Sequence, residues 1–104
     1  DYEEVFGRLR SERLITKFVL KFPGDPSFSQ LQSTLEEKNV EEAFRAAHTL
    51  KGVAQNLGFT PLYEATATLT EVLRAGNLPE DDNMMNAVAK EYERTVAAIE
   101  QLDV

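Results

Sequence analysis

Residues 40–58 read VEEAFRAAHTLKGVAQNLG, and they decide the fold because they encode one long amphipathic helix. Asn39 and Glu42 have the spacing of a capping box, which places the start of this helix near Val40. Position 58 is a glycine, the residue type that most often ends a helix in the left-handed conformation. At about 100° per residue, the apolar residues fall together on one broad side of the helix: Ala43, Ala46, Ala47, Leu50, Val53, Ala54 and Leu57.

Helical spacing continues upstream of this segment. The prolines of residues 23–26 interrupt it, and Asp25 or Ser27 is placed to cap the helix that follows, with Ser27 and Gln30 spaced as a capping box. That helix is predicted to end near Asn39, with a shorter helix expected within residues 2–9. One buried stripe is predicted before the prolines, formed by Leu14, Ile15, Phe18, Val19 and Phe22.

Two further helices are predicted downstream. Thr60 and Pro61 are interpreted as the N-cap and first residue of a helix that stops at Gly76–Asn77, and the last helix is expected to begin around Pro79. The inner face of the first is predicted to hold Leu62, Ala65, Leu69, Val72 and Leu73. That of the last is predicted to hold Met85, Val88, Tyr92, Val96, Ile99 and Leu102.

The pattern as a whole predicts an all-α protein. Short turns between amphipathic helices favour antiparallel neighbours, so we expect an up-and-down four-helix bundle with an additional N-terminal helix. A chain of 104 residues is long enough for one core, and we expect one domain over residues 1–104.

Composition excludes several classes of function. The net charge of −7 with scattered cations argues against binding to nucleic acid or to an anionic membrane. The chain has no Cys, and no apolar stretch approaches the roughly 20 residues of a membrane helix. We expect a cytoplasmic monomer. The sequence contains neither a P-loop motif nor a glycine-rich nucleotide lid, and this argues against ATP binding.

The single histidine, His48, is predicted to point into solvent. On the helical wheel it falls roughly 150° from the centre of the apolar side, among Glu41, Arg45, Gly52 and Gln55. A structural or incidental surface histidine is the ordinary alternative, since most histidines carry no chemistry. Three neighbours favour a functional interpretation.

Positive charge and an open backbone surround His48. Lys51 and Arg45, each three residues away, lie beside it on the helix surface, where a cation can stabilise a phosphoryl group. Gly52 lies one turn further on, in mid-helix, where Gly costs about 1 kcal/mol relative to Ala. Such a cost is understandable where another molecule must come close.

Residues 47–58, AHTLKGVAQNLG, resemble the signature of histidine phosphotransfer domains, in which His is followed by Leu-Lys-Gly and then by a small residue and a closing Leu-Gly. The resemblance extends loosely over nearly the whole chain. It implies a helical bundle whose central helix presents a phosphoaccepting histidine. Where some members place Gln or another polar group near the imidazole, this chain has Thr66 and Thr70.

The resemblance also implies a role for each neighbour of His48, with attack by Nε2 on an aspartyl phosphate. Lys51 would stabilise the phosphoryl group, and Gly52 would leave room for the partner. Docking would involve Phe44, Arg45 and Gln55. Response-regulator receiver domains are the implied partners, along with a hybrid histidine kinase; the receiver would supply the acceptor Asp, Mg²⁺ and a Lys, and this chain needs no cofactor.

Two alternative functions compete with that of a phosphocarrier. The first is a helical interaction module, including one that docks receivers without accepting phosphate. This alternative does not explain why both Lys51 and Gly52 lie next to His48. The second is a metal-binding bundle enzyme. Di-iron bundles need Glu-x-x-His pairs on two helices, whereas this chain has one His and no Glu three residues before it.

Overall fold

A computed structural model describes residues 19–101 of the chain. Over this range the chain forms four α-helices: α1 (Ser27–Glu36), α2 (Val40–Leu57), α3 (Thr60–Arg74) and α4 (Asn83–Glu100). Residues 19–21 are helical and lead into a 3-10 turn at Phe22–Gly24. No strand occurs within the described range, so the predicted all-α class is confirmed. The predicted helix within residues 2–9 and the residues Leu14, Ile15, Phe18 and Leu102 lie outside it.

Consecutive helices pack against each other, α1 on α2, α2 on α3 and α3 on α4. The connection from α2 to α3 is only Gly58–Phe59, and a connection this short makes the two helices antiparallel neighbours. The core between the helices is apolar and almost fully buried: Val19, Phe22, Phe28, Leu31, Ala43, Ala46, Ala47, Leu50, Ala54, Phe59, Leu62, Leu69, Leu73, Val88 and Ile99.

The helix that carries His48 has the predicted bounds. The side chain of Asn39 accepts a hydrogen bond from the backbone N–H of Glu42 at 3.2 Å, which satisfies one donor of the first turn. At the other end Gly58 adopts φ +77°, and its N–H reaches back to the last carbonyls of the helix. Only half of the capping box forms, because the carboxylate of Glu42 contacts Arg45 instead.

Two predicted helix starts need correction, and at the start of α1 only one of the two predicted capping residues acts. In α1, Asp25 accepts hydrogen bonds from the backbone N–H and the hydroxyl of Ser27, so a box with Gln30 does not form. Helix α3 includes Thr60 as its first residue, and Phe59 precedes it without a side-chain cap. Helix α4 begins at Asn83 rather than near Pro79, because Asp81 accepts from the N–H of Asn83 and holds the preceding residues in a turn.

Aromatic rings join the first described residues to α4. Phe28 stacks on Tyr92 with ring centroids 4.0 Å apart, and Phe22 lies 5.6 Å from Tyr92 and 5.2 Å from Phe59. Burial, with a further contribution from the charge of Asp25, raises the pKa of the Tyr92 phenol above its ordinary value. The cluster closes one side of the core.

Replacing Leu50 by Ala should test the core side of α2. Leu50 is fully buried, so the change should destabilise the fold by about 2–5 kcal/mol through lost apolar contact and the cavity left behind. Thermal and denaturant unfolding measure this loss. Because Leu50 and His48 lie on opposite sides of α2, the variant should keep its chemistry at temperatures where it is folded. A loss of stability well below 1 kcal/mol would contradict the buried position.

Candidate functional site

His48 lies in the middle of α2 and is exposed, as the helical wheel predicts. The residues around it on the helix surface form a row that we call the histidine stripe, consisting of Phe44, His48, Lys51 and Gln55. Their wheel positions span about 60°. Phe44 and Lys51 are half-buried, whereas His48 and Gln55 are exposed. The stripe is therefore an accessible surface built on a rigid helix.

The imidazole of His48 rests against an aromatic ring of its own helix. The ring centroids of Phe44 and His48 are 5.8 Å apart, and the ring planes differ by 19°. Phe44 also packs against the hydrophobic core, so its ring has little freedom to move. This contact gives the imidazole a flat neighbour on one side and leaves its edge open to solvent.

Thr66 and Thr70 make no hydrogen bond to the imidazole in the described structure. Both are fully buried in α3. The hydroxyl of Thr66 donates to the carbonyl of Leu62 at 2.7 Å, and that of Thr70 donates to the carbonyl of Thr66 at 2.7 Å. Each hydroxyl is thus used within its own helix, and the described neighbour of the imidazole is Phe44.

Gly52 faces open space. A Cβ atom built at this position would meet no atom of the described structure within 4 Å, apart from the helix's own backbone. Close packing inside the protein therefore does not require a glycine here. Its backbone is also ordinary helix, without the positive φ that Gly58 and Gly76 adopt. The open surface beside His48 is consistent with the prediction that another molecule comes close to the helix at this position.

The two cations predicted beside His48 have different surroundings. Lys51 makes no ion pair with the described residues, so its ammonium group is available to an anion. Arg45 instead contacts two carboxylates, with one terminal nitrogen 3.0 Å from Glu41 and the other 3.1 Å from Glu42. Arg45 lies on the side of α2 that faces α1, in a shallow groove that also contains Thr34 and Thr49.

Arg74, in the last turn of α3, is a neighbour of the stripe that the sequence analysis missed. Its guanidinium carbon lies 5.2 Å from the centroid of the Phe44 ring, the geometry of a cation–π contact. Its Nε donates to Glu71 at 3.1 Å. Phe44 and Arg74 stand at about the same distance along the chain from the Gly58–Phe59 connection. An antiparallel α2–α3 pair therefore brings them together. Their equal separation from the connection is the feature of the sequence that could have predicted this contact.

Other site classes have less support in the described residues. Among residues 19–101, no group of three or more His, Cys, Asp or Glu side chains is arranged to hold a metal ion. Within the same range, no helix is long and apolar enough to cross a membrane. Within residues 19–101, the histidine stripe and the adjacent Gly52 bring together an exposed imidazole, a lysine with no ion pair in that range and an open surface.

Comparisons with known proteins identify the family of the chain. The family model described as the Hpt domain matches residues 24–101. The chain is 28% identical over 107 residues to a protein named Chemotaxis protein CheA from Halobacterium salinarum. That alignment covers 98% of this chain and 15% of the other protein, so the chain spans a small part of this relative's length. No solved structure matches the chain.

Proposed function

Because this chain belongs to the Hpt domain family, whose members serve in phosphorelays by histidine phosphotransfer, we propose that His48 is its phosphoaccepting residue. His48 receives a phosphoryl group from an aspartate of one receiver domain and passes it to an aspartate of another. The single observation that carries the proposal is the exposed imidazole on α2, beside the open surface at Gly52 and a Lys51 that has no ion pair within residues 19–101.

The transfer is an in-line displacement at phosphorus. The lone pair of the neutral imidazole Nε2 attacks the aspartyl phosphate, the phosphorus–oxygen bond to the aspartate breaks, and its electron pair returns to the carboxylate. The reverse displacement delivers the group to the next receiver. Because such transition states are loose, positioning and charge neutralisation supply most of the catalysis.

The residues next to His48 divide these tasks. Lys51 neutralises the phosphoryl oxygens as they arrive on the imidazole. Gly52 lets the loops of the receiver approach the helix backbone. Phe44 and Gln55, on the same stripe, and Arg45, on the α1 side, contact the docked receiver. The receiver brings the acceptor aspartate and its bound Mg²⁺, and a hybrid histidine kinase supplies the phosphoryl group at the start of the relay.

Mixing the purified chain with a receiver carrying a radioactive aspartyl phosphate tests the proposal directly. We expect label to move to this chain as an adduct that is labile in acid and stable in alkali, the behaviour of phosphohistidine. Since the chain has one histidine, such an adduct identifies His48. Binding of the receiver without transfer of label would instead support a docking module that is not phosphorylated.

Replacing Lys51 by Ala should slow transfer from the receiver by about 5- to 20-fold, because a charge-assisted contact to the phosphoryl group is lost. Lys51 makes no ion pair within residues 19–101, so stability should change by less than about 0.5 kcal/mol. Single-turnover transfer kinetics and thermal unfolding give the two measurements. Lys90→Ala, which removes the same charge from an exposed position on α4, is the matched control. Equal rates for the two variants would remove Lys51 from the site.

A further inference from the structure

Arg74 and Arg45 are the two arginines near the site. They differ in whether their terminal nitrogens have hydrogen-bond partners. In Arg45, both terminal nitrogens contact carboxylates, those of Glu41 and Glu42. In Arg74, only Nε is engaged, by Glu71, and both terminal nitrogens lack a hydrogen-bond partner among the described residues. The Arg74 side chain is about half exposed, at 50%. Its guanidinium is therefore held at one edge and open to an anion at the other.

One aromatic ring contacts both this guanidinium and the imidazole of His48. Phe44 contacts Arg74 at 5.2 Å and the imidazole at 5.8 Å. The ring is anchored against the core, so it holds the cation in place by the attraction of its π face. Lys51 lies one turn beyond His48 and Phe44 one turn before it. Positive charge thus stands on both sides of the imidazole along the stripe.

We propose that Arg74 is the second phosphoryl-binding cation of the site. Its free terminal nitrogens neutralise the phosphoryl group that His48 carries, while the Phe44 ring keeps the guanidinium within reach. The inference rests on the proposed function of His48. It assigns to α3 a part in the chemistry that the α2 signature does not contain. Arginine suits the task because its planar fork stacks on aromatic rings and contacts phosphate oxygens with two donors.

The test uses a small phosphoryl donor, phosphoramidate, so that no receiver contact enters the measurement. Nε2 of His48 bonds to phosphorus as the donor's phosphorus–nitrogen bond breaks, and the donor nitrogen leaves as ammonia. We expect Arg74→Ala to form phosphohistidine about 5- to 10-fold more slowly than the unaltered chain. The difference should shrink at high ionic strength, because the contribution is electrostatic and exposed.

Three further substitutions test the assignment, and the first of them is a matched control. Arg94→Ala removes an exposed arginine of α4 that pairs with Glu91 three residues earlier, as Arg74 pairs with Glu71, and its rate should stay within about twofold of the unaltered chain. Glu71→Gln removes the carboxylate beside Arg74 and should raise the rate. Phe44→Leu keeps an apolar side chain but removes the aromatic face. In that background, Arg74→Ala should have little further effect, because the two residues act as a unit.

Each outcome separates the two proposals. If the unaltered chain forms phosphohistidine and Arg74→Ala forms it at the same rate, the inference is wrong and the proposed function stands. If Arg74→Ala is slow with a phosphorylated receiver but normal with phosphoramidate, Arg74 is a docking contact and the inference is also wrong. If the unaltered chain takes phosphate from neither donor, the proposed function of His48 fails, and the role of Arg74 fails with it.

Discussion

Replacing His48 by Gln should abolish phosphoryl acceptance, from a receiver and from phosphoramidate alike. The amide of Gln has no nucleophilic nitrogen lone pair, and the chain contains no second histidine to take over. We expect the rate to fall below detection, a loss of at least about a thousandfold for removal of the attacking group. Incorporation of label, followed by acid and alkali treatment of the product, measures it.

The same variant should fold normally. His48 is exposed on the helix surface, and Gln is at least as good a helix former as His. Circular dichroism should give the same helix content, with a free energy of unfolding within about 0.5 kcal/mol of the unaltered chain. An alkali-stable label that persists in His48→Gln would place the acceptor on another residue and end the assignment.

Replacing Gly52 by Gln should separate docking from folding. The position faces open space, so the longer side chain meets nothing inside the described structure. Stability should rise by roughly 0.5–1 kcal/mol, because Gly is the poorer helix former. Transfer from a receiver should nevertheless fall by at least about tenfold, because the new side chain occupies the surface that the partner's backbone needs. Unfolding curves and single-turnover transfer give the two numbers.

Two controls make this result specific to the approach surface. Phosphorylation by phosphoramidate should change far less than transfer from the receiver, because the small donor needs no wide clearance. Ala97→Gln adds the same side chain at an exposed position of α4 and should leave transfer unchanged. A Gly52→Gln variant that exchanges phosphate with a receiver at the normal rate would contradict the clearance argument.

Several features of the site are local and follow from the sequence. The Asn39 cap, the left-handed Gly58 and the outward direction of His48 depend on residues within one helix and its ends. The pairing of Arg45 with Glu41 and Glu42 is equally local, since charges three and four residues apart are neighbours on a helix. The spacing of these residues alone therefore predicts that both terminal nitrogens of Arg45 have carboxylate partners.

The late start of α4 has a different cause. The proline at position 79 and the acidic residues after it have the composition of a helix N-terminus, which favoured a start near Pro79. In the structure, Asp81 accepts from the backbone N–H of Asn83, and this short-range turn competes with helix formation. Helix and turn signals of similar strength overlap in this stretch, so spacing does not decide between them.

The sequence by itself determined that the chain is helical, where α2 begins and ends, and that its one histidine faces solvent, because hydrogen bonding and apolar periodicity within a helix are set by neighbouring residues. Only the tertiary structure decided which residues of α3 lie near that histidine. The antiparallel packing of α3 on α2 buries Thr66 and Thr70 and brings Arg74 against Phe44. These contacts join residues far apart in the chain, and their geometry depends on how two helix surfaces fit together.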